Sequence, residues 1–224
     1  MVDWQQIKTV FLDMDGTLLD LYFDNYFWLE FVPLQYAQAM GIAHHEASEV
    51  LAEKYRAVEG TMDWYCVDYW TRQLGLDIEN LKREAAHYID VHPHVHDFLA
   101  ALHASDRRIL LVTNAHRKSL ALKMEKTGLD RYFDAIVCAH DYGVPKENPD
   151  FWVRLQKKFP YEPQSTLLVE DSLSVLHSAR KYGIGHLLAI TRPDSRQDAR
   201  QIDEFPAVAS FEGLVSRLVS ASTS

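Results

Sequence analysis

Residues 8–20 read KTVFLDMDGTLLD. An apolar, β-favouring run, Val10, Phe11 and Leu12, ends in two aspartates, Asp13 and Asp15, with Gly16 and Thr17 directly behind. A buried strand that delivers paired carboxylates to its C-terminal edge places charge where desolvation is costly. It also places charge where open α/β sheets bind their ligands. Such a strand is expected to hold a metal or to do chemistry. Taken alone, Asp13 and Asp15 fit an Asx turn before a glycine equally well. The partners supplied by the rest of the chain decide between the two.

Five β-like apolar runs occur, at Thr9–Met14, Ile109–Thr113, Ala135–Ala139, Thr166–Glu170 and His186–Ile190. Helical patterns separate the later ones, at Val95–Ala104, Lys118–Thr127, Asp150–Phe159 and Leu173–Tyr182. Alternation of this kind predicts an α/β fold with a five-stranded parallel sheet covered on both faces. Residues 21–90 break the alternation. They hold no convincing strand and are rich in large aromatics, among them Tyr22, Phe23, Tyr26, Phe27, Trp28, Trp64 and Trp70. The expected organisation is a core of residues 1–20 and 91–224, with 21–90 as a helical insert. The Ser-rich end, residues 216–224, is expected to fray.

Charge narrows the partners. The chain has 23 Lys+Arg against 32 Asp+Glu, a net −9, with no basic run or stripe. That balance argues against a general nucleic-acid binder, which needs clustered cations. No apolar stretch is long enough to span a bilayer, and residues 1–10, MVDWQQIKTV, do not read as a secretory signal. Two distant cysteines, Cys66 and Cys138, suit a reducing, cytoplasmic setting without disulfides, and their spacing does not suit a structural zinc pair.

Chemistry-bearing residues recur at the strand ends. The first run ends in Asp13 and Asp15, the second in Thr113 and Asn114, and the fourth in Glu170, Asp171 and Ser172. Lys146 lies in GVPKENP between the third and fourth. With a strand order of 3-2-1-4-5, Thr113, Asp13 and Asp171 converge at one edge and Lys146 can reach in. Several carboxylates at one site repel one another unless a hard cation sits among them, and Mg2+ is the natural choice. A hydroxyl and a lysine can hold phosphoryl oxygens. One carboxylate can act as a nucleophile and another, two residues on, as acid and base.

This ordered set resembles the four motifs of the haloacid dehalogenase (HAD) superfamily. DMDGT matches the first, Thr113–Asn114 the second, Lys146 the third and Glu170–Asp171 the acidic fourth. The resemblance implies a Rossmann-like core whose helical insert is the family's C1 cap. It also implies a Mg2+-dependent phosphomonoesterase. Asp13 is then the nucleophile, Asp15 the acid and base, and Thr113 and Lys146 the groups on the phosphoryl oxygens. Asp13, Asp15 and Asp171 are the metal ligands, with Glu170 behind them as a partner rather than a ligand. DLYFDNYFWL, DWYCVDYW, LVTNAH, KTGLD, YGVPKENP and ITRPDS are similar to the branch that hydrolyses GMP and IMP. The implied substrate is a purine nucleoside 5′-monophosphate, bound through Thr113, Asn114, Lys146, Tyr22, Asn25 and Trp28. A monomer or small homo-oligomer is expected.

Other functions are compatible with the same residues. A sugar phosphatase or β-phosphoglucomutase-like phosphotransferase shares these motifs. A dehalogenase fits less well, because the family's dehalogenases lack the second aspartate. A phospho-acceptor signalling or binding protein also clusters Asp, Thr and Lys, but without a helical insert. Residue by residue, Lys146 beside Glu147 is a surface pair by default. Most aromatics of 21–90 are core by default, and Ser172 can serve only as a helix cap. Pro93 and the helix opening at Val95 exclude a metal role for His92, His94 and His96. His116, just past Asn114, stands nearer the expected site.

Overall fold

The computed structural model describes residues 2–222. The first apolar run forms β1 (Thr9–Leu12). The chain then makes α1 (Tyr22–Tyr26), a π-helical turn (Phe27–Phe31), α2 (Val32–Met40), α3 (His44–Val58), α4 (Met62–Tyr65), α5 (Val67–Leu74) and α6 (Ile78–Glu84). Pro33 has no N–H to give to the preceding turn, and the widened turn lies directly before it. From α7 (Val95–His103) onward strand and helix alternate: β2 (Arg108–Thr113), α8 (Arg117–Thr127), β3 (Ala135–Cys138), α9 (Pro149–Lys158), β4 (Thr166–Glu170), α10 (Leu173–Tyr182) and β5 (His186–Ile190). A two-residue strand, β6 (Ala207–Val208), and α11 (Glu212–Ser222) complete the described chain.

The sheet is parallel, in the order β3-β2-β1-β4-β5-β6. The five expected strands and their order are present, and β6 extends the sheet by one. Two residues are too short for an alternation pattern to register. Side chains alternate between faces. Val10, Leu12, Leu111 and Val169 pack with Phe98, Leu102 and Leu218 on one side; Phe11, Leu110, Val112 and Leu168 pack with Phe151, Trp152 and Leu176 on the other. The Ser-rich end begins inside a helix. Leu214 and Leu218 are buried in the core that α7 lines, so α11 holds through Ser222, while residues 223 and 224 lie outside the described residues.

The helices between β1 and α7 bury their own apolar cluster, built on Phe23, Phe27, Leu51, Val67, Trp70 and Leu74. The chain leaves for them and returns at one point. Asp20 N donates to Asp90 O at 3.0 Å and His92 N to Leu18 O at 2.9 Å. The loop after β5 closes on both crossings: Leu21 N donates to Pro193 O at 2.8 Å, and a His92 ring nitrogen lies 3.0 Å from the same oxygen. Among the described residues no helix is long and apolar enough to cross a membrane.

Candidate active site

β1 is central, and the chain winds to opposite sides of it, which puts the topological switch point of the sheet at its C-terminal end. Leu12 pairs with Leu111 and Val169. Asp13 therefore emerges one residue beyond the ladder, with its N–H on Val169 O at 3.1 Å. Gly16 takes φ +82°, and a Cβ there would stand 2.8 Å from the Asp171 carboxylate. Only glycine makes this turn and lets Asp171 approach the first motif.

Lys146 is not a surface residue. Its side chain is 2% exposed, with Nζ 2.5 Å from Asp13 Oδ1, 2.7 Å from Glu170 Oε2 and 2.9 Å from Val112 O. Asn114 fixes the loop that carries it: Oδ1 accepts Lys146 N–H at 2.9 Å and Nδ2 donates to Glu147 Oε2 at 2.9 Å. Tyr65, from α4, donates to the other Glu147 oxygen at 2.5 Å. Asn114 thus uses its amide on positioning Lys146, although it also lines the cavity described below.

Asp13, Glu170 and Asp171 each offer an oxygen within 4.8 Å of the others. Burial, reinforced by the charge of Glu170 and opposed by Lys146, pushes Asp13 up to about 7. Burial likewise raises Glu170 to about 7 against the pull of Lys146, and burial plus the charge of Asp13 raise Asp171 to about 7. One ammonium is too little positive charge for three buried carboxylates, and oxygen donors this close suit a hard divalent cation. Glu170 is already engaged, with Oε2 on Lys146 and Oε1 on Ser172 N–H at 3.0 Å. Asp13 and Asp171 are the better-placed ligands. Asp15 was expected in this set, but its side chain is turned elsewhere.

Asp15 belongs instead to a buried chain of charge. Lys123 Nζ, from α8, lies 2.6 Å from Asp15 Oδ1 and 2.6 Å from Asp24 Oδ2; Lys82 Nζ, from α6, lies 3.1 Å from Asp24 Oδ1. The two lysine side chains are 1% and 4% exposed. Burial raises Asp15, with Lys123 opposing and Asp24 assisting. At Asp24 burial also disfavours the charge, but Lys123 and Lys82 outweigh it and hold the carboxyl at about 2. The sequence pattern missed Lys82, Lys123 and Asp24. The available signal was a lysine on the same apolar stripe of α8 as Leu120.

Asp24 gives a stability test. Asp24→Asn leaves two buried ammoniums short of a partner, which is expected to destabilise the fold by about 3 kcal/mol at pH 7. The folded value lies below the ordinary 3.8. The contribution is therefore present above about pH 4 and is lost as pH falls toward 2. Urea melts at pH 7, 4 and 3 should show the gap between wild type and variant closing on acidification. Equal stability at pH 7, or a gap that widens, contradicts the ion-pair account.

A cavity of about 350 Å3 opens from Asp13, Asp15 and Asp171 toward the rings of Trp28, Tyr55, Trp64, Tyr65 and Trp70. Leu21, Asn25, Trp28 and Leu29 present one helical face to it. Tyr22 does not line it. It falls on another face with Tyr26, packs on Tyr88 at 5.6 Å, and lies under the Arg196 guanidinium at 3.5 Å. Closeness in sequence to Asp15 suggests Tyr22; its ring is instead held between Tyr88 and Arg196. Thr113 is buried at the end of β2, and its Oγ1 accepts Ala115 N–H at 3.0 Å, which leaves its O–H to donate. Asn25 Nδ2 donates to Asp194 Oδ2 at 2.7 Å. Ser172 occupies the N-cap position of α10 without a capping bond and lines the cavity instead.

The family model of haloacid dehalogenase-like hydrolases matches residues 7–183. The chain is 39% identical over 218 residues to the GMP/IMP nucleotidase YrfG of Escherichia coli, covering 97% of this chain and 98% of that one. It is 21% identical over 212 residues to a phosphorylated carbohydrates phosphatase of Thermotoga maritima, covering 91% and 93%. In fold it is similar to the crystal structure of an HAD phosphatase from Thermococcus onnurineus, with a TM-score of 0.79 at 24% identity over 95% and 98% of the two chains.

Proposed function

Because the chain belongs to the haloacid dehalogenase-like hydrolase family, we propose that it is a phosphomonoesterase cleaving purine nucleoside 5′-monophosphates through an aspartyl-phosphate. The observation that carries this reading is one cavity with Asp13, Asp15 and Lys146 at one end and aromatic rings at the other. The name of the Escherichia coli relative supports the nucleotide.

Asp13 attacks phosphorus and the bond to the 5′ oxygen breaks. Asp15 gives that oxygen a proton, then takes one from the water that hydrolyses the acyl-phosphate. Lys146 neutralises charge on the phosphoryl group, and the Thr113 O–H is available to donate. Asp13 and Asp171 would hold a divalent cation, Mg2+ by donor chemistry, which supplies further positive charge to the phosphoryl oxygens when bound. Residues 21–90 act as a cap that excludes water and reads the leaving group. Trp28 offers a ring on which a base can stack. Asp194 fixes the orientation of the Asn25 amide, so a 6-oxo and a 6-amino purine meet a defined donor and acceptor rather than a group free to flip.

The expected order of kcat/KM is IMP and GMP above AMP, with pyrimidine monophosphates below. Asn25→Ala is expected to erode the preference for IMP over AMP by about tenfold, the size of one lost hydrogen bond. It should have less effect on a small generic phosphate ester, which cannot use that contact. The rival is a sugar phosphatase, supported by the Thermotoga maritima relative. Faster cleavage of hexose phosphates than of any nucleotide replaces the nucleotidase reading with that one.

A further inference from the structure

Cys66, His116 and His140 come together from three parts of the chain, apart from the carboxylates. Cys66 joins α4 to α5, His116 precedes α8 and His140 follows β3. One ligand-capable atom of each lies within 4.8 Å of the other two. The imidazoles meet edge to face, with centroids 4.9 Å apart at 86°. Both ring nitrogens of His140 are buried without a hydrogen-bond partner among the described residues. Ring packing accounts for the contact between the histidines. It does not account for two orphaned nitrogens, which leave a desolvation cost unmet.

We propose that Cys66, His116 and His140 form a second metal site, for one borderline-soft divalent cation of the zinc class, with a fourth position open to water. One thiolate and two imidazoles suit zinc or cobalt and not magnesium. Tetrahedral bonds of about 2.3 Å to sulfur and about 2.0 Å to nitrogen set ligand atoms about 3.3 to 3.5 Å apart, so the three atoms draw together by as much as about 1.5 Å. A neutral imidazole offers one bare ring nitrogen to a metal, and burial disfavours the charged form of both rings. Asp68 Oδ2 lies 3.7 Å from His116 Nε2, where a carboxylate can orient a ligating ring; the nitrogen left for the metal is then Nδ1, which would give up its long, 3.4 Å contact with Lys118 N–H. Nearby cations are already paired, Arg117 with Asp141 and Lys118 with Asp68 and Glu79. The spacing of Cys66 and Cys138 argued against zinc held by that pair. The structure instead joins one of those cysteines to two histidines that sequence distance had kept apart.

The site borders the catalytic cavity. His116 lines it, as do Tyr65 and Val67 on either side of Cys66. An occupied site would tie the α4–α5 junction to the loops after β2 and β3.

The test uses the full chain with saturating Mg2+, which keeps other cations off the carboxylates. One equivalent of Co2+ is expected to give a thiolate-to-cobalt charge-transfer band together with the strong visible bands of four-coordinate cobalt. Zn2+ should bleach both. Cys66→Ser, whose hydroxyl still caps α5, should lose the charge-transfer band, and Cys138→Ser should keep it. His140→Ala should weaken cobalt binding at least tenfold. One equivalent of Zn2+ should raise the Tm of wild type and leave that of Cys66→Ser unchanged. The proposal is overturned by the absence of the band in wild type, by its persistence in Cys66→Ser, or by only the weak spectrum of six-coordinate cobalt.

Discussion

Asp13→Asn is expected to lower kcat by roughly four orders of magnitude or more, the scale of losing a covalent nucleophile, while the fold remains. An amide cannot form the acyl-phosphate. The substitution preserves shape, and Asn Oδ1 can still accept from Lys146. It also removes one of three carboxylates that burial and mutual repulsion hold near 7, which offsets part of the lost ion pair. Circular dichroism and melting should match wild type closely enough to exclude unfolding as the cause. Beryllium fluoride with wild type should label Asp13. Near-normal turnover of the variant, or an adduct on another residue, defeats the covalent mechanism.

Chelation is expected to have an effect of comparable size. Excess EDTA should take turnover to background, and Mg2+ should restore it. The reason lies in the charge count at the site: Asp13, Glu170 and Asp171 converge within 4.8 Å, and the ammonium of Lys146 is bonded to the first two of them. A cation on Asp13 and Asp171 relieves the repulsion that remains. Mg2+ should therefore also raise the Tm of the chelated protein. Asp171→Ala should raise the Mg2+ concentration for half-maximal activity by more than tenfold and should reduce the Mg2+-dependent shift in Tm. Full turnover in excess chelator contradicts the scheme.

The sheet was legible because its strands are apolar on both faces and bounded by turn residues, so five of them stand out from sequence alone. Their order predicts Thr113, Asp13 and Asp171 at one edge with Lys146 reaching in; Asp13 and Asp171 do cluster and Lys146 reaches Asp13, while Thr113 accepts from Ala115 N–H. Less was legible wherever a side chain's direction decides the outcome. Asp15 is two residues from Asp13, but its carboxylate faces Lys123 rather than Asp171. Tyr22 and Asn25 lie three residues apart, yet the Tyr22 ring is taken up by Tyr88 and Arg196 and only Asn25 lines the cavity. Asn114 was expected on the substrate, whereas both ends of its amide hold the Lys146 loop. The Lys82–Asp24–Lys123 chain and the Cys66–His116–His140 cluster each join distant segments, so no local spacing announces them.

The charge chain from Asp15 to Lys82 also bears on how such proteins diversify. Exchange of an inserted segment between relatives is a simple route to new specificity when the two parts meet only at a hinge. Here they share a salt-bridged wire. Asp24 and Lys82 lie in the helical stretch between β1 and α7, which an exchange would carry over, while Asp15 and Lys123 lie outside it. A graft lacking an acid at position 24 strands Lys123 with Asp15 alone, and a recipient lacking Lys123 strands the incoming pair. Productive recombination therefore requires a compatible residue on α8, far from either splice point. Residue 123 becomes a compatibility determinant between two stretches of chain whose apolar clusters are largely separate.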